Sequence, residues 1–218
     1  MTLYPALLTD DPEVFAHQLG LVLKDGRLKT IQVDVIDGEF IDNTTLFPSE
    51  LTEFDFGNLN LDLHLLTEEP QDVVQEVLDL GGQLPVRSII AQIEHMTSQQ
   101  FYVDEVKGAG YRVGMSVDFF TPLTAIEPDI WRQLDLVQIM GNEAGFQGAP
   151  LHPLAVEKIA QARAFCQSRQ LDPEIAVDVG VKTDNFKSLI KAGASSVCAG
   201  SALWSASDFT QVVSEFLS

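Results

Sequence analysis

The sequence predicts an α/β fold in which short strands and longer helices alternate from one end of the chain to the other. Short runs rich in Val, Ile and Leu recur along the chain, and amphipathic segments fill the gaps between them. No Pro/Gly/Ser-rich linker, low-complexity tract or shift in composition divides the 218 residues. The spacing of the runs, about 27 residues, is that of the βα units in a closed (β/α)8 barrel. We therefore expect a single barrel domain over residues 1–218.

The predicted strands are short runs of apolar and β-branched residues. They are Leu3–Leu8, Ile31–Ile36, Leu59–Leu66, Val86–Gln92, Arg112–Val117, Leu134–Met140, Glu174–Asp178 and Ser196–Ala199. The predicted helices are amphipathic segments, several of which begin at an Asp, Ser, Thr or Pro. They are Asp11–Lys24, Pro70–Leu80, Ser98–Ala109, Thr121–Ile126, Pro153–Arg169, Thr183–Ala192 and Ala206–Leu217. Gly81, Gly110 and Gly193 stand where helices are expected to end.

The charge balance excludes a general nucleic-acid binder. The chain has 13 Lys+Arg against 32 Asp+Glu, a formal net charge of −19, whereas binding to a phosphate backbone needs clustered cations. No apolar run of about 18 residues is present, and the N-terminus lacks the cationic start of a signal peptide. We therefore expect a soluble, cytoplasmic protein with no membrane partner. Cys166 and Cys198 lie outside any Cys or His cluster and are expected to be ordinary buried thiols.

An acidic residue lies within the second predicted strand. Strand side chains alternate between two faces, so Gln32 and Asp34 share one face, and the neighbours of Asp34 are Val33 and Val35. A carboxylate that points into a strand-lined interior costs several kcal/mol unless it is paired, hydrogen-bonded or bound to a metal. We therefore interpret Asp34 as a functional residue rather than a structural one.

Two further polar residues lie near the ends of other predicted strands. His64 stands in apolar company on the third strand, and Asp178 is the last residue of the seventh. A single histidine in such a place is usually a hydrogen-bonded core residue. The active sites of (β/α)8 barrels lie at the carboxyl ends of the strands. Two acids and an imidazole at three strand ends therefore predict one site.

Glycine-bearing turns follow the last three strands. Gly145 and Gly148 follow the sixth strand, Gly180 follows the seventh, and Gly200 and Ser201 follow the eighth. Barrels often bind phosphate through backbone N–H groups in the turns after strands seven and eight. Oriented amides supply positive potential whatever the net charge of the protein. The turns therefore predict a phosphate-binding site in an acidic chain.

The chain resembles the ribulose-phosphate 3-epimerase family along nearly its whole length. The matching segments, in family order, are YPALLTDDP, IQVDVIDGEFIDN, LDLHLLTEEP, RVGMSVDFFTP, DLVQIMGNEAGFQG, AVDVGV and AGASSVCAGSALW. The related phosphate-barrel decarboxylases and synthases carry a D-x-K-x-x-D pattern on the third strand. Residues 62–67 read DLHLLT instead, without the lysine. The chain therefore resembles the epimerases more closely than the decarboxylases and synthases.

The resemblance implies a (β/α)8 TIM barrel of the ribulose-phosphate-binding type. Its members invert C3 of a ketopentose 5-phosphate, interconverting D-ribulose 5-phosphate and D-xylulose 5-phosphate, a step of the pentose phosphate pathway. Two aspartates on opposite faces of the substrate exchange the C3 proton, and Asp34 and Asp178 match their positions. His64 and Met140 match substrate-binding positions. Many members form dimers or hexamers, which implies a homo-oligomer.

The resemblance also implies a divalent metal, commonly zinc, iron, manganese or cobalt, held by two histidines and the same two aspartates. Asp34, His64 and Asp178 match three of these ligands, while Gln32 stands at the position of the second histidine. A glutamine carbonyl oxygen is a poorer zinc ligand than imidazole. We therefore expect weakened or absent metal binding, or a preference for harder ions.

Other departures from the family pattern leave three hypotheses open. The family has a serine at Ala6, and glycines at Gln147 and Val179. The chain is a 3-epimerase with a weakened metal site, a barrel that acts on another phosphosugar, or a catalytically silent phosphosugar-binding barrel. The retained Asp34 and Asp178 favour an enzyme, whereas Gln147 and Val179, like the missing histidine, favour the silent barrel.

Overall fold

Eight parallel strands close into one barrel in the computed structural model, which describes residues 1–218. The strands are β1 Thr2–Leu7, β2 Thr30–Ile36, β3 Asn60–Leu66, β4 Val86–Gln92, β5 Arg112–Val117, β6 Leu136–Met140, β7 Glu174–Asp178 and β8 Ser196–Ala199. Each strand pairs with the next along the chain, and β8 pairs with β1. The prediction of a (β/α)8 barrel is confirmed.

Helices surround the barrel. They are α1 Pro12–Asp25, α2 Pro48–Leu51, α3 Pro70–Asp79, α4 Gln99–Gly108, α5 Pro153–Ser168, α6 Phe186–Ala192, α7 Ser201–Trp204 and α8 Phe209–Phe216. Local sequence explains their ends. The Asp11 side chain accepts hydrogen bonds from the N–H groups of Glu13 and Val14, and Gly26 ends α1 in the left-handed conformation. None of these helices has the length and apolar character needed to cross a membrane.

The main hydrophobic core lies between the barrel and the helices. The inside of the barrel combines buried polar side chains with a small apolar cluster of Ile90, Leu136 and Ala176. Outward-facing strand residues such as Val33 and Val35 belong to a cluster of 50 buried apolar residues. The residues that alternate with them include buried Gln32, Asp62 and Gln138. Polar groups inside a protein need partners. The barrel interior is therefore organised by hydrogen bonds and ion pairs.

Ion pairs fill the amino-terminal end of the barrel. Arg87 pairs with Asp62 through two hydrogen bonds, and its guanidinium lies over the Tyr4 ring, 5.0 Å from the centroid. The Tyr4 hydroxyl donates to Glu174 Oε1 at 2.7 Å, and Arg112 donates to Glu174 Oε2 at 3.0 Å. Burial alone would raise the pKa of Glu174, but the hydrogen bonds from its neighbours lower it. These groups occupy the end of the barrel opposite the predicted site.

The structure corrects several predicted helices. The helix predicted over Thr121–Ile126 is wrong, because that segment contains only one 3-10 turn, Leu123–Ala125. Pro122 precedes the turn and Pro128 follows it, and the residue before a proline disfavours helical backbone, which leaves room for a single turn. The sixth and seventh predicted helices begin later than expected, at Phe186 and Phe209. Two four-residue helices, α2 and α7, were not predicted.

Candidate active site

A cavity opens at the carboxyl ends of the strands. It is lined by nine of the residues that the sequence singled out, whereas Gln32 is not among the lining residues; the nine are Asp34, His64, Met140, Gly145, Gly148, Asp178, Gly180, Gly200 and Ser201. Strand register explains part of this grouping, because Asp34 is paired with His64 between β2 and β3, and Met140 with Asp178 between β6 and β7. The structure therefore brings these residues together in one cavity, and their roles remain predictions.

The two aspartates and the histidine meet at the floor of this cavity. His64 Nδ1 lies 3.0 Å from Asp34 Oδ1 and 3.7 Å from Asp178 Oδ2. All three side chains are buried, and one nitrogen or oxygen from each lies within 4.8 Å of the others. The other ring nitrogen, His64 Nε2, lies 3.4 Å from Gln92 Oε1. Such a cluster is compact enough for all three groups to contact one ion.

The amide of Gln32 connects the two carboxylates. Its Nε2 donates to Asp34 Oδ1 at 2.9 Å and to Asp178 Oδ2 at 2.6 Å. Its Oε1 accepts from the thiol of Cys198 at 3.0 Å. Gln138 Nε2 lies at the longer distance of 3.5 Å from Asp178 Oδ2. One side chain thus fixes the separation of two acids that lie far apart in the sequence.

The environment raises the pKa of both Asp178 and His64, for different reasons. Burial and the nearby charge of Asp34 raise the pKa of Asp178 to about 6, although His64, Gln32 and the Val179 N–H oppose the shift. Burial lowers the pKa of His64, but the hydrogen bond and charge of Asp34 and the charge of Asp178 outweigh burial and raise the His64 pKa overall. The site can therefore hold a proton on Asp178 at a pH at which an ordinary aspartate is ionised.

The predicted phosphate end of the cavity has free backbone donors and no cation. No Lys or Arg lines the cavity, and the N–H groups of Gly180 and Gly200 donate to no protein acceptor. Gly180 has φ +76°, and a Cβ on it would lie 2.5 Å from the backbone nitrogen of Leu151. Only glycine therefore fits at this position.

Val179 is strained beside this turn. It has φ +66°, a conformation that β-branched residues rarely adopt. Its side chain packs against an apolar cluster of Ile36, Leu66, Met140 and Ala144. The backbone at Val179 therefore has the left-handed conformation that usually requires glycine.

The loop after β6 is held over the cavity by two hydrogen bonds. Asn43 Nδ2 donates to the carbonyl oxygen of Gly145 at 2.7 Å, and Gln147 Nε2 donates to that of Leu8 at 3.3 Å. A Cβ on Gly145 would lie 1.8 Å from Ile41 Cδ1. The side chain of Gln147 also approaches Gly200, since its Cδ would lie 3.6 Å from a Cβ there. The loop therefore reaches the free amides at the phosphate end.

Sequence reasoning missed three polar residues of the site. Gln92, Gln138 and Cys198 all contact the acids, the histidine or Gln32. Period-two alternation could have found Gln138, which lies two residues before Met140 on the same strand face. Cys198 is a buried thiol as predicted, and it also lines the cavity.

The closed barrel and the buried acids at the carboxyl ends of its strands define the class of protein, a (β/α)8 barrel with a polar cavity. The model of the ribulose-phosphate 3 epimerase family matches residues 2–204, and the chain belongs to this family.

Named relatives agree with this membership. The chain is 33% identical over 184 residues to the chloroplastic ribulose-5-phosphate-3-epimerase of Arabidopsis thaliana, with 84% of this chain and 64% of that protein covered. It is 30% identical over 212 residues to the ribulose-phosphate 3-epimerase of Synechocystis sp., covering 96% of this chain and 90% of that protein. The Bacillus subtilis ribulose-phosphate 3-epimerase is 30% identical over 214 residues, covering 97% of this chain and 95% of that protein.

Solved structures show the same fold in more distant proteins. The tryptophan synthase α-subunit from Pyrococcus furiosus superposes with a TM-score of 0.70 at 17% identity, covering 99% of this chain and 97% of that one. The phosphoribosyl anthranilate isomerase from Thermus thermophilus superposes with a TM-score of 0.61 at 12% identity, covering 93% and 88%. At these identities the likeness concerns the fold alone.

Three groups in the site fit the divalent ion that the family resemblance implies. Asp34, His64 and Asp178 supply two carboxylates and an imidazole within 4.8 Å of one another. Gln92 Oε1 faces the ring nitrogen of His64 that points away from the carboxylates, and metal-bound histidines usually have such an acceptor. The fourth group, Gln32, turns its NH2 rather than its oxygen toward the carboxylates. The residues therefore suit a three-ligand site.

Proposed function

We propose that this chain is a 3-epimerase of a ketopentose phosphate, interconverting D-ribulose 5-phosphate and D-xylulose 5-phosphate. The observation that carries the proposal is the convergence of Asp34 and Asp178 on one buried cavity, both bound to the same amide nitrogen of Gln32. Inversion by proton transfer needs an acid and a base, and the different environments of the two carboxylates favour one of each.

The two aspartates divide the proton transfer in this proposal. The C3 proton of the substrate is acidic because C3 is adjacent to the C2 carbonyl. Asp34 carries no hydrogen bond on Oδ2, and this oxygen takes the proton and leaves an enediolate. Asp178, protonated because of its raised pKa, delivers a proton to the other face of C3. The reverse reaction exchanges the two roles.

The phosphate group is assigned to the turns of the last strands. The free N–H groups of Gly180 and Gly200 support this assignment, as does the position of Ser201 at the start of α7. The loop from Gly145 to Gly148 covers the same end of the cavity. Backbone donors bind a phosphate without adding a positively charged side chain.

His64 and Met140 shape the part of the cavity that holds the reacting carbons. Both line it, and His64 lies beside the two acids. A divalent ion of zinc, iron, manganese or cobalt would be held by Asp34, His64 and Asp178, and when bound it would polarise the C2 carbonyl and stabilise the enediolate charge. We expect weak retention because Gln32 replaces an imidazole.

A coupled assay with D-ribulose 5-phosphate tests the function. Protein stripped with a chelator and the same protein reloaded with each ion should both produce xylulose 5-phosphate, the reloaded protein faster. In D2O, the product should carry deuterium at C3. Elemental analysis should find less than one ion per chain as purified, and Gln32→His should raise that occupancy. The absence of product and of C3 exchange, with or without ions, would overturn the proposal.

A catalytically silent phosphosugar-binding barrel is the second candidate. Two observations favour it: the Gln147 side chain lies against Gly200 at the phosphate end, and strained Val179 lines the same cavity. Calorimetry with ribulose 5-phosphate, followed by identification of the recovered sugar, separates the two functions, since a silent barrel would bind the sugar phosphate and release it unchanged.

A further inference from the structure

We propose that Gln32 is a positioning residue which holds the carboxylates of Asp34 and Asp178 together in the metal-free protein, and that Cys198 sets its orientation. A divalent ion at the two acids then competes with the Gln32 NH2 group, which must turn away from them before the ion binds. The inference deepens the proposed function, because it names the side chain that keeps the two acids in register when no ion is bound.

The hydrogen bonds of Gln32 fix which end of its amide faces the acids. Nε2 lies 2.9 Å from Asp34 Oδ1 and 2.6 Å from Asp178 Oδ2. A primary amide has two N–H donors, one for each carboxylate. With the amide reversed, an oxygen would lie 2.9 Å from Asp34 Oδ1 with no hydrogen between them. That arrangement repels, so the NH2 group faces the acids whenever no cation lies between them.

Cys198 holds the other end of the same amide. Its Sγ lies 3.0 Å from Gln32 Oε1, whereas its distance to Gln138 Oε1 is 3.9 Å. Gln32 is 1% exposed and Cys198 2% exposed, so water does not compete freely for the amide oxygen. The thiol therefore supplies the donor that the buried carbonyl oxygen needs.

An ion held by Asp34 and Asp178 would face the N–H groups of the Gln32 amide, whereas a metal ion needs an oxygen ligand. To become a fourth ligand, Gln32 must turn Oε1 toward the ion and give up its bonds to both carboxylates and to the thiol. The apparent affinity for the ion is then reduced by the fraction of molecules in which the amide has turned. Removing the amide, or its thiol anchor, should therefore strengthen ion binding rather than weaken it.

Calorimetric titration of the metal-free protein with Mn²⁺ tests whether removal of the Gln32 amide strengthens or weakens ion binding. We expect Gln32→Ala to bind Mn²⁺ more tightly than the parent, by about tenfold if the amide has turned in about one tenth of the parent molecules. Cys198→Ala should bind more tightly by a smaller factor, and Cys198→Ser, which keeps a donor, should match the parent. Weaker binding by Gln32→Ala would show that Gln32 is an ordinary ligand, and unchanged binding in all variants would show that it is a bystander; either result overturns the inference.

Nuclear magnetic resonance of the Gln32 side chain gives a second readout that survives if Gln32→Ala does not fold. In the metal-free parent, the two Nε2 protons should resonate downfield of a free glutamine amide and exchange slowly with water. Cys198→Ala should move these signals toward the free position, and Cys198→Ser should restore them. Signals of a freely rotating amide in the parent would overturn the inference. Neither experiment contains a sugar phosphate, so a failed epimerase assay leaves both results intact.

Discussion

Asp34 on β2 and Asp178 on β7 accept hydrogen bonds from a single nitrogen, Gln32 Nε2, although two strands of the barrel separate them. This relationship depends on closure of the barrel, because β1 and β8 bring β2 and β7 within reach of one side chain. Two acids held in this way can act on one bound molecule.

Replacing either acid should abolish epimerisation. We expect Asp34→Asn and Asp178→Asn each to lower kcat by about 10²–10⁴-fold or more, because each removes one member of a two-sided proton transfer. Exchange of the C3 proton with D2O, followed from both substrate stereoisomers, measures the loss. Circular dichroism checks that the barrel is folded. Exchange at the parent rate in either variant, from both stereoisomers, would disprove the two-acid assignment.

Asp178 should make the fold less stable as the pH rises from about 4 to above 6. Its folded-state pKa of about 6 lies above the ordinary 3.8, so the folded protein keeps a proton that the unfolded chain releases. The stabilisation is complete below the lower pKa and is lost as the pH rises through the upper one. We expect the loss of unfolding free energy across this pH window to be about 1–3 kcal/mol smaller in Asp178→Asn than in the parent.

Urea unfolding at several pH values across this window measures the dependence. Asp172→Asn is a matched control, because the Asp172 side chain is 99% exposed, and its curve should follow that of the parent. Parallel curves for Asp178→Asn and the parent would contradict the prediction.

Gly180→Ala should be more harmful than Gly82→Ala. Both glycines have similar left-handed backbone, φ +76° and φ +84°, but a Cβ at Gly82 meets nothing within 4 Å, whereas one at Gly180 lies 2.5 Å from Leu151 N. We expect Gly82→Ala to lower the free energy of unfolding by about 1 kcal/mol. Gly180→Ala should lower it by about 1–3 kcal/mol more and weaken the binding of inorganic phosphate. Equal effects on both quantities would argue against a crowded phosphate turn at Gly180.

Gln147→Gly should lower KM for the sugar phosphate and leave kcat nearly unchanged. The Gln147 side chain lies against Gly200 and bonds to the Leu8 carbonyl oxygen, so the phosphate must displace it to reach the free amides. Steady-state kinetics of the variant and the parent, each with ribulose 5-phosphate, give the comparison. A higher KM would mean that Gln147 itself donates to the phosphate.

The sequence was sufficient for the strands and for the residues at their ends, because alternation and apolar runs are local signals. Alternation on one strand placed Gln32 and Asp34 on the same face, and in the structure both side chains are buried and joined by a hydrogen bond. The contact between Gln32 and Asp178 could not be predicted, since it depends on how two distant strands approach in a closed barrel.

Short elements were harder to predict for a related reason. Helix α7, Ser201–Trp204, has four residues and no side-chain cap, so it gives no periodic pattern. The hydrogen bond from Gln147 to the Leu8 carbonyl oxygen depends on loop conformation, which hydrophobic periodicity does not describe. The polar inside of the barrel was only partly expected, because a buried glutamine or serine in a strand resembles a solvent-facing residue in an alternating pattern.

The absence of Lys and Arg from the cavity wall also affects how fast a dianionic ligand arrives. A chain with a formal net charge of −19 repels such a ligand at long range, and neutral amides act only after contact. Added salt screens this repulsion over about 10 Å at 0.1 M ionic strength. Association of a sugar phosphate should therefore accelerate as salt is added, the reverse of the behaviour of sites that attract phosphate with lysines.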